Sequence, residues 1–263
     1  IPPVPVQSDY PLSYAQQRLW LLHHLGGEAA YNMPEAYLVE SPLDADALEW
    51  AFQALIARHE ALRTAFVTVN GEPRQRILPT VSFALGRLDL SRAVDPEAEA
   101  RAHADREAAA PFDLAAPPLL RGTLLALGGG RTVFLFTMHH IVGDGWSGNV
   151  LYRELFALYA ARRRGAADPL PPLRIHYKDF AVWQKGRDFA GDETYWLKQL
   201  AGAPEALQLP YDFSPGEERD FRGDKALAEI DAAATEALRR LARAKRTTLA
   251  NVFLAVFEAL LFQ

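Results

Sequence analysis

The order of hydrophobic and polar positions predicts an alternation of helices and strands. Leu12, Ala15, Leu19, Leu22 and Leu25 fall on one face of a helix over 12–25. Residues 34–40 read as a strand. Asp44 is placed to cap a second helix whose apolar face carries Leu48, Phe52, Leu55, Ile56 and Leu62. An alanine- and charge-rich third helix is expected over 95–110. Two apolar runs, 119–127 and 132–138, flank Gly128-Gly129-Gly130-Arg131 and predict an antiparallel hairpin. A further helix over 147–164 carries Val150, Leu151, Leu155, Phe156 and Tyr159.

The proline-rich break over 165–173 suggests a lobe boundary. Beyond it the pattern predicts a helix near 176–200, a polar loop, a strand near 225–230, and helices near 232–245 and 248–262. The last of these is apolar on nearly every side, with Asn251 and Glu258 as the exceptions, so it should be buried. That implies a chain that continues past Gln263. The first eleven residues, IPPVPVQSDYP, read as an extended linker from something upstream. The expected organisation is therefore a linker over 1–11, an N-terminal lobe over 12–170, and the incomplete start of a second lobe over 171–263.

Composition changes this picture little. Of 263 residues, 49% are hydrophobic and 23% charged, and the net charge is -5 with acid and base interspersed. That balance does not suggest nucleic-acid binding. No cysteine is present, which excludes disulfides and thiolate chemistry. The N-terminus lacks the basic-then-apolar order of a signal peptide, and no apolar run reaches the roughly 20 residues that cross a bilayer. A cytoplasmic location without membrane contact is expected.

The sharpest chemical signal is MHHIVGDGWS, residues 138–147, where an apolar strand gives way to a loop and then a helix. Neighbouring strand residues point to opposite faces. If the strand continues through the pair, one of His139 and His140 packs inward and the other reaches a site. Three readings compete. The histidines are both structural; or they bind a metal with Asp144, although adjacent strand positions converge poorly on one ion; or one imidazole, supported by Asp144, handles a proton near neutral pH. The third fits the residues best. The lack of a G-x-S-x-G elbow argues against covalent acyl-enzyme chemistry.

Four segments carry a family resemblance. HHIVGDG resembles the HHxxxDG motif of the condensation-domain superfamily. SYAQQRLWLL (13–22), RHEALRTAF (58–66) and YKDFAVWQ (177–184) resemble further signatures of nonribosomal peptide synthetase condensation domains, in the right order. The resemblance implies an α/β, chloramphenicol-acetyltransferase-like sandwich lobe with a mainly antiparallel sheet, part of a second similar lobe, and a channel between them. It implies an acyltransferase that joins an upstream carrier-bound acyl or peptidyl thioester to a downstream carrier-bound aminoacyl amine. His140 and Gly145 would be the active-site residues. His139, Asp144 and Arg63 would support them, the last two as a buried ion pair, and Trp146 and Ser147 would border the channel. No metal or cofactor would be bound by the domain itself, since the substrates ride on phosphopantetheine of partner carriers. Upstream and downstream peptidyl carrier domains and an adjacent adenylation domain would be the partners.

The remaining motif residues have simpler readings. Tyr14, Gln17, Arg18 and Trp20, and likewise Arg58, His59 and Glu60, read as architectural. Tyr177, Asp179, Phe180 and Trp183 read as ties between lobes. His23-His24-Leu25 resembles the extra motif of dual epimerisation-condensation domains, but Ala29-Ala30-Tyr31 stands where Gly-Asp would follow. The HHxxxDG motif is also compatible with an O-acyltransferase of the same superfamily, and the fold with a non-catalytic carrier-binding domain.

Overall fold

The structure, a computed structural model, describes residues 1–204 and 227–262. The chain forms two compact units, Ile1–Phe189 and Ala190–Gln263.

The first unit is built on a four-stranded sheet. Strands β2 (Asn32–Val39), β5 (Gly86–Asp89), β6 (Leu120–Gly128) and β7 (Arg131–His139) lie in the order β2-β7-β6-β5. Only β5 and β6 run parallel. The expected hairpin is therefore β6 and β7, turned through Gly128, Gly129 and Gly130 at positive φ, where an L side chain would be strained. Helices α2 (Ala45–Arg58) and α4 (Gly145–Arg163) cover one face, packing Phe52, Leu55, Leu151 and Leu155 on Phe134, Phe136 and Met138. Helix α3 (Pro96–Ala109) covers the other, where Ala100 meets Leu125, Leu127 and Leu135. The alternation along β7 thus sends even positions to α2 and α4 and odd positions to α3. The α/β lobe with a mainly antiparallel sheet is as expected.

A second sheet, β1-β4-β3, is not legible in the pattern. It joins β1 (Tyr10–Pro11), β3 (Thr64–Val69) and β4 (Glu72–Ile77). Strand β4 reads EPRQRI, too polar to signal a strand, and is held by its ladder to β3. This sheet takes in the end of the stretch expected as an extended linker over 1–11. Tyr10 is buried, β1 pairs with β4, and the Val4 N–H donates to Asp179 Oδ1 at 2.8 Å. Helix α1 (Tyr14–His24) follows, capped by the Ser13 hydroxyl, which accepts from Gln16 N.

The single helix expected over 176–200 is two, α5 (Tyr177–Lys185) and α6 (Ala190–Gln199), with Gly186 ending the first. Helix α5 packs on β1 and on the short 3-10 turn Glu60–Arg63, so the compact unit runs on to Phe189 rather than ending near 170. Lys178 pairs with Glu60 at 2.5 Å, and the Gln184 side chain accepts from Tyr14 N at 3.0 Å. The fourth motif thus ties the first and second motifs together inside one unit.

In the second unit, α7 (Ala232–Ala244) packs on α8 (Leu249–Leu261). The strand expected near 225–230 lies partly outside the described residues, and 227–230 forms no strand. The cover that the apolar last helix calls for is not supplied by the described residues. Val252 is its one buried residue, while Phe253, Leu254, Val256, Phe257 and Leu260 are exposed. Its composition sets the demand for cover without supplying a surface to meet it.

Candidate active site

The histidine pair sits where β7 ends. His139, an odd position, is fully buried at 0% exposure, and His140 is exposed. The divergence expected from strand alternation is what the chain adopts. The His139 Nδ1 accepts the Ile141 N–H at 3.1 Å, and its carbonyl accepts the Val142 N–H at 3.1 Å. These two bonds close the turn that throws His140 outward. The His140 N–H donates to the Tyr31 carbonyl at 2.9 Å, which pins the turn to the residue preceding β2. Gln16 of α1 donates to the Ile141 carbonyl at 3.4 Å.

Because Nδ1 is an acceptor, His139 must be neutral with its proton on Nε2. Burial, helped by the neighbouring His23 and His140, pushes its pKa down to about 4. The Nε2 has no hydrogen-bond partner among the described residues. Beside it lies the His23 ring, 5.8 Å away centre to centre and nearly perpendicular, with Phe112 on another side at 6.2 Å. His139 is thus a packed element of the turn, aimed away from the face His140 occupies.

His140 borders a cavity of about 190 Å³ whose walls include Gln16, Arg18, Tyr31, Asp144 and Tyr177. Spacing alone marks only Asp144 among these walls as a site residue. Tyr31 is there because β2 pairs with β7 with Asn32 opposite His139, so the preceding residue lands beside His140. The AAYNMP stretch holds that signal, but only the strand register makes it readable. Gln16 and Tyr177 arrive through the first and fourth motifs. Ser13 Oγ lies 3.0 Å from the Tyr177 hydroxyl, which fixes α1 against α5.

Asp144 plays a different part from the one expected. Its carboxylate caps α4, accepting from the Ser147 N–H at 2.8 Å and the Ser147 hydroxyl at 2.7 Å. Those bonds hold it below the usual carboxylate range, with a smaller pull from His140. The residue is exposed, and the buried Asp144–Arg63 ion pair is not formed. Arg63 instead donates from Nη1 to the Leu78 carbonyl at 2.5 Å and lies 3.6 Å from Glu60. The physical reason is local. A carboxylate at a helix start finds two donors three residues on, with little chain entropy to lose, whereas a long-range pair must desolvate both charges. Arg58 and His59 meet Glu154 of α4 at 3.0 and 2.7 Å, so the ion cluster joining α2 to α4 forms there.

Gly145 opens α4 and is exposed, and a Cβ built on it would meet no atom within 4 Å. Trp146 follows at 81% exposure. Gly143 is the tight point of the loop, because a Cβ there would lie 2.7 Å from Met138 Cε. Among the described residues, no group of three or more histidines and carboxylates is placed to hold a metal ion, and no helix is long and apolar enough to cross a membrane.

Comparison with known proteins agrees with this fold. The condensation-domain family profile matches residues 6–263. Malpinin synthetase of Mortierella alpina is 41% identical over 99% of this chain, and tyrocidine synthase 3 of Brevibacillus parabrevis is 42% identical over 99%. The chain spans only 3% and 4% of those two proteins. Among solved structures, the first condensation domain of the calcium-dependent antibiotic (CDA) synthetase superposes with a TM-score of 0.78 at 28% identity, covering 97% of this chain and 62% of that one. The starter condensation domain of rhizomide synthetase superposes with a TM-score of 0.66 at 27% identity, covering 77% of this chain and 52% of that one. This chain belongs to the condensation-domain family of the nonribosomal peptide synthetases.

Proposed function

We propose that the domain to which this chain belongs forms an amide bond between two carrier-bound substrates, with His140 as the residue that handles the attacking amine. The observation that carries this reading is the split of the pair. His140 stands exposed at a cavity, on a turn braced by the buried His139, by Tyr31 and by Gln16.

The chemistry follows from the substrates such a domain would meet. A thioester is already activated, so the step needs no ATP. The amine must be neutral to attack, and an ordinary α-amino group has a pKa of about 7.7–8.0. An imidazole at hydrogen-bond distance accepts its proton or orients its lone pair towards the thioester carbon. As the C–N bond forms, the carbonyl takes negative charge. Collapse then expels the carrier's phosphopantetheine thiolate, which takes up the proton. Holding both thioesters in place supplies much of the acceleration through proximity.

In this reading the carriers are upstream and downstream peptidyl carrier domains, and phosphopantetheine belongs to them. Asp144 and His139 are positioning residues, since each holds the loop rather than a reacting atom. The test is to replace His140 with Ala in the complete domain and follow dipeptidyl-carrier formation by intact-protein mass spectrometry, with amine and alcohol acceptors in parallel. A loss of at least 100-fold with the amine is expected. Near-wild-type turnover removes His140 from the mechanism, and a wild-type product from the alcohol alone identifies an O-acyltransferase instead.

A further inference from the structure

A second cavity, of about 330 Å³, lies beside the one at His140. The two share Ala61, Val142, Ser147 and Tyr177 as lining residues. The volume falls within the range of small-ligand sites. Beyond the shared wall its lining is mostly apolar, with Leu62, Val150, Leu151, Leu173, Ile175 and Phe180. Trp146 also lines it and exposes most of its ring to solvent.

Three titratable groups besides Tyr177 line this cavity. His59 is bound to Glu154 at 2.7 Å, Glu60 is bound to Lys178 at 2.5 Å, and burial holds the His176 imidazole below its ordinary pKa, which favours its neutral form. What the cavity offers a newcomer is therefore apolar surface. An aromatic ring left in water beside it adds area that a ligand would cover.

The shared residues decide what can pass. Ala61 lies in the 3-10 turn between α2 and β3, and Val142 lies two residues after His140. Both are small, and they border the two spaces at once. A substrate whose reacting group sits at His140 carries its side chain on the α-carbon bonded to that group, and the wall shared by the two cavities borders His140's space on one side and this opening on the other.

We infer that the second cavity receives the apolar side chain, branched or aromatic, of one of the two aminoacyl substrates, and that Ala61 and Val142 set the width of its entrance. This rests on the reading of His140 given above. The second cavity is then a specificity pocket, with Trp146 as its outer wall.

The experiment uses the complete synthetase module with partner carriers loaded with glycyl, alanyl, leucyl or phenylalanyl groups. One series varies the donor against a fixed acceptor, and the other varies the acceptor. Competing carriers are scored by intact-protein mass spectrometry. In one of the two series the wild type is expected to favour leucyl or phenylalanyl over glycyl by about tenfold or more, and that series identifies the side chain received. Ala61→Leu should cut the leucyl-to-glycyl ratio at least fivefold by filling the entrance. Trp146→Ala should lower the same ratio, and Trp146 lies outside the packed core clusters of this unit.

A flat wild-type response in both series overturns the pocket while leaving the role of His140 standing. So does an Ala61→Leu protein of native thermal stability that slows glycyl and leucyl transfer equally. If Ala61→Leu does not fold, the ratio in Trp146→Ala decides, and an unchanged ratio overturns the proposal. No amide from any pair overturns the reading of His140 and the pocket with it.

Discussion

Acidification should unlatch the turn that carries His140, through the histidine beside it. The perturbation is a fall in pH from 7 to 4, with His139→Asn as the reference, since its side-chain oxygen can still accept the Ile141 N–H but cannot titrate. In the unfolded chain a histidine binds a proton near pH 6.5. In the fold, His139 resists protonation until about pH 4, because it is buried and because His23 and His140 stand beside it. Between those values the unfolded state holds the extra proton, so stability falls as pH drops through this window and levels off below it. At about 1.4 kcal/mol per pH unit, the gap corresponds to a loss of about 3 kcal/mol by pH 4. Against a typical total of about 5–15 kcal/mol, that is a large share. Urea unfolding across the pH range, read by tryptophan fluorescence, gives the free energy of each protein. Carboxylates titrate in both, so the difference isolates the imidazole. Parallel curves for wild type and His139→Asn would refute the reasoning, because the buried ring would then carry no penalty for charge.

Three further outcomes follow from the same geometry. Asp144→Ala should cost about 1 kcal/mol through the lost cap on α4, and Asp144→Ser should restore most of it. A double-mutant cycle pairing Asp144→Ala with Arg63→Met should show a coupling below about 0.5 kcal/mol by urea unfolding, since the two side chains do not meet; coupling of several kcal/mol would restore the ion pair. Glu154→Gln should lower stability by about 3 kcal/mol, because it strands Arg58 and His59 at the junction of α2 and α4. Burial opposes the ionised form of Glu154, but bonds from His59 and Arg58 outweigh it and hold the carboxyl below its usual range. Its contribution should therefore persist at neutral pH and fade as pH falls through that lowered value, which thermal unfolding of wild type and Glu154→Gln would record.

Much of the fold can be read where a side-chain period governs it. Helices α1, α2 and α4 and the β6–β7 hairpin follow from apolar spacing, α3 follows from its alanine- and charge-rich composition, and the Asp44 cap forms where the spacing places it. The elements that escape are those held by partners. Strand β4 is polar, and β1 is two residues long, so neither carries its own signal. The division of labour in the histidine pair is legible because strand alternation is geometric. The partner of Asp144 is not, because the local donors of Ser147 compete with any distant arginine, and sequence order does not say which wins. Tyr31 stays invisible until the register of β2 against β7 places it beside His140.

The close approach of Gly143 to Met138 bears on how freely this architecture can change. The loop rests on the core through backbone and methionine rather than through the imidazole it displays. The socket and the tool are separable: position 140 can take other side chains while the frame keeps its shape. A side chain at 143 would meet the flexible end of Met138 first, so the methionine would have to swing aside, with Ser147 Cβ at 3.3 Å limiting the room. Diversification of such domains can therefore exchange what the loop presents at 140 while the turn beneath it, tied to Tyr31 and Gln16, stays in place.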